Sequence, residues 1–217
     1  MEISIKRGTP AKQKTACFIV AINSGKTLSR TALALDKSSR KAISSLTARG
    51  DISGKVGETL LLPTAPGVSA DRILLVGAGK NAGIKATHFV KIAKKAAAII
   101  SANGYRNALS ALTEIEVIER DLAWKLRQLA IAFADAGYQY SEHKSKVTSA
   151  SKPKLKLSMF IDDSLADEAK SALPLANGIC NGMDLCKDLG NAPANHCTPT
   201  DLANAAKTLA KDVAKLR

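Results

Sequence analysis

The side chains best suited to chemistry in this 217-residue chain gather near its end. Asp184 and Asp188 are four residues apart, so on a helix their carboxylates share one face, and His196 and Cys197 follow shortly after. Carboxylate, imidazole and thiolate all ligate metals. The set is too small, however: a hard cation needs more oxygen ligands than two carboxylates supply, and a structural zinc needs a full tetrahedral set in range. Two carboxylates on a helix surface are ordinarily solvated, and no metal site is expected here.

A second pattern lies at Gly77, Gly79 and Ala82, which match GxGxxA between an apolar run and a helical stretch. Glycines at such a turn let a backbone approach a pyrophosphate at a helix N-terminus. The dinucleotide fingerprint also wants an acidic residue about 20 residues further on. Residues 99–104 contain none, so the expectation is a tight strand-to-helix turn. His88, His143 and His196 come with no nucleophile elbow and no Cys/His signature. No catalytic, metal-binding or cofactor-binding residue is therefore assigned.

The elements that would carry these residues can be read from periodicity. Residues 2–6 alternate as EISIK, which suits a half-buried edge strand, whereas CFIVAI at 17–22 is a continuous apolar run, as in a central strand covered on both faces. Apolar positions over 28–48 follow helical spacing, with a Ser-rich middle at 37–45. Strands at 59–62 and 72–76 make a hairpin, and helices are expected at 85–102 and 121–140 around a strand region at 108–117. His88 is read as a helix-surface residue and Trp124 as core. Residues 141–154 are polar, basic and aperiodic, which predicts a mobile loop. A strand at 155–161 leads to a helix at 165–189, kinked at Pro174. Strands alternating with helices predict an α/β domain with a mixed sheet between helical layers.

The run DLGNAPANHCTPTDLA at 188–203 is punctuated by capping chemistry. Gly190 and Asn191 readily take the left-handed conformation that ends a helix, and Pro193 cannot continue one. Thr198 then supplies a capping hydroxyl, Pro199 suits the first helical position, and Asp201 places negative charge in the first turn. A new helix is predicted from here toward Arg217.

Composition narrows the class. Apolar residues make up 46% and charged residues 24%, ordinary globular values, and the 4% aromatic share leaves an aliphatic core. The length suits one core domain plus an appendage. Cys17, Cys180, Cys186 and Cys197 show no CxxC spacing, which argues against a disulfide framework and fits a reducing cytoplasm. No apolar run approaches the ~18–20 residues needed to span a bilayer, and MEISIKRGTP lacks the apolar centre of a signal peptide. Residues 1–161 hold 26 Lys and Arg against 11 Asp and Glu, whereas 162–217 hold 6 against 8. Such a basic segment attracts polyanions; since the lysines are dispersed, a solubility surface is the plainer reading.

The run at 188–203, the opening EISIKRGTPAKQKTACFIVAI, the segment GKVGETLLLPTAPGVSADRILLVGAGK and the tract around Trp124 and Arg127 together resemble the bacterial leucyl (cytosol) aminopeptidases. The resemblance covers nearly the whole chain. It implies a macro-domain-like N-terminal domain at 1–161, a connecting helix at 162–190 and the start of a catalytic domain at 191–217. In that family the Gly-Lys-Gly and Asp-Ala-Glu-Gly-Arg segments bearing metal ligands and catalytic groups come later, and neither occurs here.

The resemblance further implies a cytoplasmic, homohexameric parent that removes N-terminal residues from peptides with two divalent ions, manganese or zinc. This chain alone is expected to be inactive, and its ending inside a helix suggests truncation. Two alternatives stand beside this reading, the first motivated by the basic charge and the second by the macro-like fold. One is DNA binding by the basic domain, a property of some members; the other is ADP-ribose binding at the Gly77 turn.

Overall fold

The apolar run near residue 20 becomes the spine of a sheet. In this computed structural model, which describes residues 1–140 and 155–213, the strands are β1 (Glu2–Lys6), β2 (Phe18–Asn23), β3 (Thr27–Leu28), β4 (Thr59–Leu62), β5 (Ile73–Gly79), β6 (Asn107–Ser110) and β7 (Lys156–Phe160). Their order is β1-β7-β6-β2-β5-β4, with β3 paired to β2. β1, β7, β6, β2 and β5 run parallel; β4 lies antiparallel on β5 and β3 antiparallel on β2. The sheet is mixed and β1 lies at its edge, both as expected.

β2 is apolar throughout because both its faces are covered. Side chains alternate across a strand, so Ile19 and Ala21 join Leu74, Val76, Phe89, Leu126 and Phe133 in one core. Phe18, Val20 and Ile22 join Ile73, Leu75, Leu35 and Ile43 in the other. The first core lies under α3 (Ala86–Ala102), α4 (Leu122–Gly137) and the first half of α5 (Ala166–Asn191). The second lies under α1 (Arg30–Ser38) and α2 (Ala42–Arg49).

Several boundaries differ from the sequence reading. The helix expected over 28–48 is two helices joined at Ser39–Lys41, where Arg40 and Lys41 have φ of +56° and +62°. The buried Asp36 carboxylate holds the joint by accepting from the Ser44 amide at 2.8 Å and from its hydroxyl. Only the start of the 108–117 strand region is extended; Leu112–Glu114 coils into a 3-10 turn. On α3 the apolar face is Phe89, Ile92, Ala93, Ala96, Ala97 and Ile100, with His88 exposed. Trp124 is half-buried against that core, its ring 5.6 Å from Phe89. Pro174 lies inside α5. The loop expected at 141–154 lies outside the described residues.

The chain divides into two compact units, Met1–Gly137 with Lys152–Cys180, and Tyr138–Ser151 with Asn181–Arg217. In the second, the Tyr138 hydroxyl donates to Asp188 Oδ1 at 2.9 Å and Lys187 Nζ lies 4.8 Å from the Tyr138 ring centre. α5 ends at Asn191 without a left-handed Gly190 or Asn191; Pro193 follows closely. α6 (Pro199–Asp212) starts on a reciprocal capping box: Asp201 Oδ2 accepts the Thr198 amide at 3.0 Å and its hydroxyl, while Thr198 Oγ1 accepts the Asp201 amide. This agrees with the sequence reading of Thr198, Pro199 and Asp201.

Candidate functional site: a crevice at the strand ends

In a doubly wound sheet, ligands occupy the crevice outside the carboxyl ends of the parallel strands, where neighbouring connections leave in opposite directions. Here that point lies between β2 and β6. The chain leaves β2 for α1 and α2 on one face, and leaves β6 for α4 on the other. A cleft of about 570 Å³ opens there. Its walls come from the end of β2 and start of α1 (Asn23, Arg30), the turn after β5 (Lys80, Asn81), the 3-10 turn after β6 (Thr113, Glu114), α4 (Leu122, Lys125) and the segment after β7 (Asp162, Leu165).

The polar groups of the cleft are largely paired with one another. Ser29 caps α1 through its hydroxyl, yet the next free amide there does not face solvent: Thr31 donates its N–H to Glu114 Oε2 at 3.0 Å and its hydroxyl to Oε1. A helix N-terminus favours an anion, and in this molecule the protein's own carboxylate takes that place. Arg30 reaches Glu114 with Nε at 3.5 Å and donates through Nη1 to Asp162. Asp162 also caps the turn after β7. The Ser164 amide and hydroxyl, and then Arg30, hold its carboxyl down at a pKa of about 2. Asn23 donates from Nδ2 to Asn81 Oδ1 at 3.0 Å.

Lys125 is the exception. It projects from the largely apolar face of α4, between Leu122 and Leu129, and is half-buried. Its ammonium donates to the Thr113 carbonyl at 2.5 Å and the Ile115 carbonyl at 3.2 Å. Burial lowers its pKa, against the opposing pull of Glu168, Glu116 and Asp121.

The glycine turn is filled from within the protein. A side chain on Gly77 would lie 2.0 Å from the Lys55 carbonyl oxygen, and one on Gly79 would lie 2.7 Å from the Val56 side chain. The Gly77 amide donates to the Glu58 carbonyl and the Gly79 amide to the Gly54 carbonyl. These glycines admit the 54–58 turn against β5, and the Gly77 and Gly79 amides already have acceptors.

The other sequence candidates do not converge. Asp188 accepts from Tyr138, and the His196 and Cys197 amides donate to the Pro193 carbonyl. Among the described residues, no three His, Cys, Asp or Glu side chains come together as metal ligands. Cys17 is fully buried in the core, and burial pushes its thiol up to about 12, too high for a nucleophile. Sequence reasoning missed Arg30, Glu114, Lys125 and Asp162. One signal was present for Lys125, a lysine three residues after Leu122 and four before Leu129 on an apolar helix face.

Fold and crevice together define a doubly wound α/β domain. The pattern of the "Cytosol aminopeptidase family, N-terminal domain" matches residues 19–147. Among curated relatives, the "Probable cytosol aminopeptidase" of Dechloromonas aromatica is 39% identical over 214 residues, which are 98% of this chain and 43% of that protein. That of Azotobacter vinelandii is 41% identical over 211 residues, 97% of this chain and 42% of the relative.

Among solved structures, a mutant of tomato leucine aminopeptidase superposes with a TM-score of 0.70 at 22% identity, covering 98% of this chain and 42% of that one. The bottromycin maturation enzyme BotP in complex with Mn gives 0.65 at 18%, covering 91% and 36%. At these identities the structural likeness shows the fold. The chain belongs to the cytosol aminopeptidase family, as its N-terminal domain, and it spans less than half the length of the curated relatives it matches. Among the described residues, no helix is long and apolar enough to cross a membrane.

Proposed function

We propose that this chain is the non-catalytic N-terminal part of a metal-dependent leucyl aminopeptidase, which releases N-terminal residues from peptides in the cytoplasm. The observation that carries the reading is coverage: nearly all of this chain matches only 42–43% of relatives named cytosol aminopeptidases. Two divalent ions, manganese or zinc, would polarise the scissile carbonyl and supply an activated water. The described residues do not fit that role: Asp188 is engaged by Tyr138, and no ligand trio forms. We place the metals in the part of the relatives that this chain does not span. Within the chain we assign 1–161 to the N-terminal domain, 162–190 to the connecting helix and 191–217 to the start of the catalytic domain. The complete protein is proposed to be a homohexamer.

The test is hydrolysis of leucine p-nitroanilide by the purified 217-residue chain with added manganese or zinc. No turnover is expected. Metal-dependent turnover that follows the protein through successive columns would overturn the reading. DNA binding, the alternative suggested by charge, receives no support from the relatives and is not carried further. At Gly77 and Gly79 the amides and the space a side chain would fill are taken by residues 54–58, which disfavours ADP-ribose at those two glycines.

A further inference from the structure

We propose that the crevice between β2 and β6 is a binding site for a small organic monocarboxylate with an apolar body, its carboxylate held by the Lys125 ammonium. The cleft lies where the topology of an open α/β sheet places ligands, and its volume of about 570 Å³ is that of a small-molecule site. The proposal concerns the chain's own cleft and stands independently of the aminopeptidase reading.

Lys125 is the half-buried charge in this cleft that the protein leaves incompletely matched; Lys80, the other lysine lining it, is exposed to solvent. An ammonium has three donors, and two are taken by the Thr113 and Ile115 carbonyls, which carry no charge. Among the described residues, no carboxylate lies within ion-pair distance of it. A half-buried cation whose hydrogen-bond partners are both neutral, with Glu168, Glu116 and Asp121 acting on it only from beyond ion-pair distance, is incompletely compensated, and an aliphatic side chain would pack better between Leu122 and Leu129. The other buried charges are satisfied: Glu114 by Thr31 and Arg30, Asp162 by Ser164 and Arg30. The third donor of Lys125 is thus the natural anchor for a carboxylate.

The rest of the cleft selects the body and the charge of the ligand. Leu122, Ile161 and Leu165 line it, and Leu165 is 41% exposed. A phosphate is disfavoured on two grounds. The α1 amide that would bind it holds Glu114 instead. Glu114, Glu116 and Asp162 also line the same cleft and repel a dianion more strongly than a monoanion.

Isovalerate, leucine, isovaleramide and inorganic phosphate titrated separately into the 217-residue chain, followed by calorimetry and thermal shift, test the site. Isovalerate should bind and raise the melting temperature. Isovaleramide, which lacks the charge, should bind at least about tenfold more weakly, as should isovalerate to Lys125→Met. Phosphate should not compete. Leucine binding at least as tightly as isovalerate would identify free amino acids as the source of the carboxylate; weaker binding would identify simple organic acids.

Equal binding of isovaleramide, displacement by phosphate, unchanged affinity in Lys125→Met, or no response to any carboxylate would each overturn the proposal. If Lys125→Met does not fold, as read by circular dichroism, Leu165→Glu, which adds a repelling carboxylate at an exposed position of the cleft, serves in its place. That variant should lose isovalerate binding by about tenfold or more, and retained binding would overturn the proposal equally.

Discussion

The Glu114 carboxylate sits on the first turn of α1, its Oε2 3.0 Å from the backbone nitrogen of Thr31, across 83 residues of chain. It closes the helix N-terminus from a different strand connection, so it joins the two sides of the crevice as well as capping a helix. The Glu114 side chain is only 13% exposed, and its acceptors satisfy one amide and one hydroxyl that would otherwise lose their partner.

Glu114→Ala should therefore destabilise the chain by about 1–3 kcal/mol, the range for leaving buried donors without an acceptor. Glu114→Gln keeps an acceptor and should lose less. Urea unfolding of the two variants checks the order; equal midpoints for Glu114→Ala and the unmodified protein would contradict the role of this contact.

Asp162 predicts an acid limb. Its folded pKa of about 2 is below its ordinary carboxylate value, because Ser164 and Arg30 favour the charged form. A depressed carboxylate contributes stability that is fully present above its unfolded pKa, about 3.9. That contribution declines as pH falls through the unfolded value toward 2. Asp162→Asn should flatten this part of a stability-against-pH profile and leave its neutral region with the same slope. An unchanged acid limb in the variant would sink the assignment.

Two glycines should respond in opposite directions. Gly77→Ala drives a methyl to 2.0 Å from the Lys55 carbonyl oxygen, a backbone atom that cannot swing away. Overpacking there should lower stability by about 2–3 kcal/mol. Gly182 lies within α5 with nothing within 4 Å of an added Cβ, so Gly182→Ala should stabilise by about 0.5–1 kcal/mol. Thermal melts of both variants give the comparison.

The cysteines should separate by reactivity. Cys17 is fully buried and its thiol is raised to about 12 by burial, whereas Cys186 is exposed. Brief iodoacetamide treatment of the native chain should label Cys186 and spare Cys17, and both should react in denaturant. Peptide mass spectrometry reads the pattern, and native labelling of Cys17 would show that the core opens far more readily than this packing implies.

Much of the architecture is legible in the residues because the signals are local. CFIVAI is apolar at every position since β2 is covered on both faces, EISIK alternates since β1 is an edge strand, and the Thr198, Pro199 and Asp201 cap lies within four residues of chain. The break between α1 and α2 is not legible. It depends on Arg40 and Lys41 at positive φ, held by Asp36, and neither residue type announces that conformation. The stop of α5 was legible as a position and misread as a mechanism, since Pro193 rather than a left-handed glycine follows it.

The sequence by itself determined the α/β class, the central and edge strands, the capping chemistry and the absence of a recognisable catalytic motif. These are properties of neighbours along the chain, where hydrophobic period and turn chemistry act over a few residues. Only the tertiary structure decided the crevice. Arg30, Glu114, Lys125 and Asp162 lie up to 132 residues apart and meet because parallel strands bring their carboxyl ends to one edge of the sheet. It also decided what the glycines of the GxGxxA turn are for, since which atoms press against Gly77 depends on a hairpin contact that spacing alone does not encode.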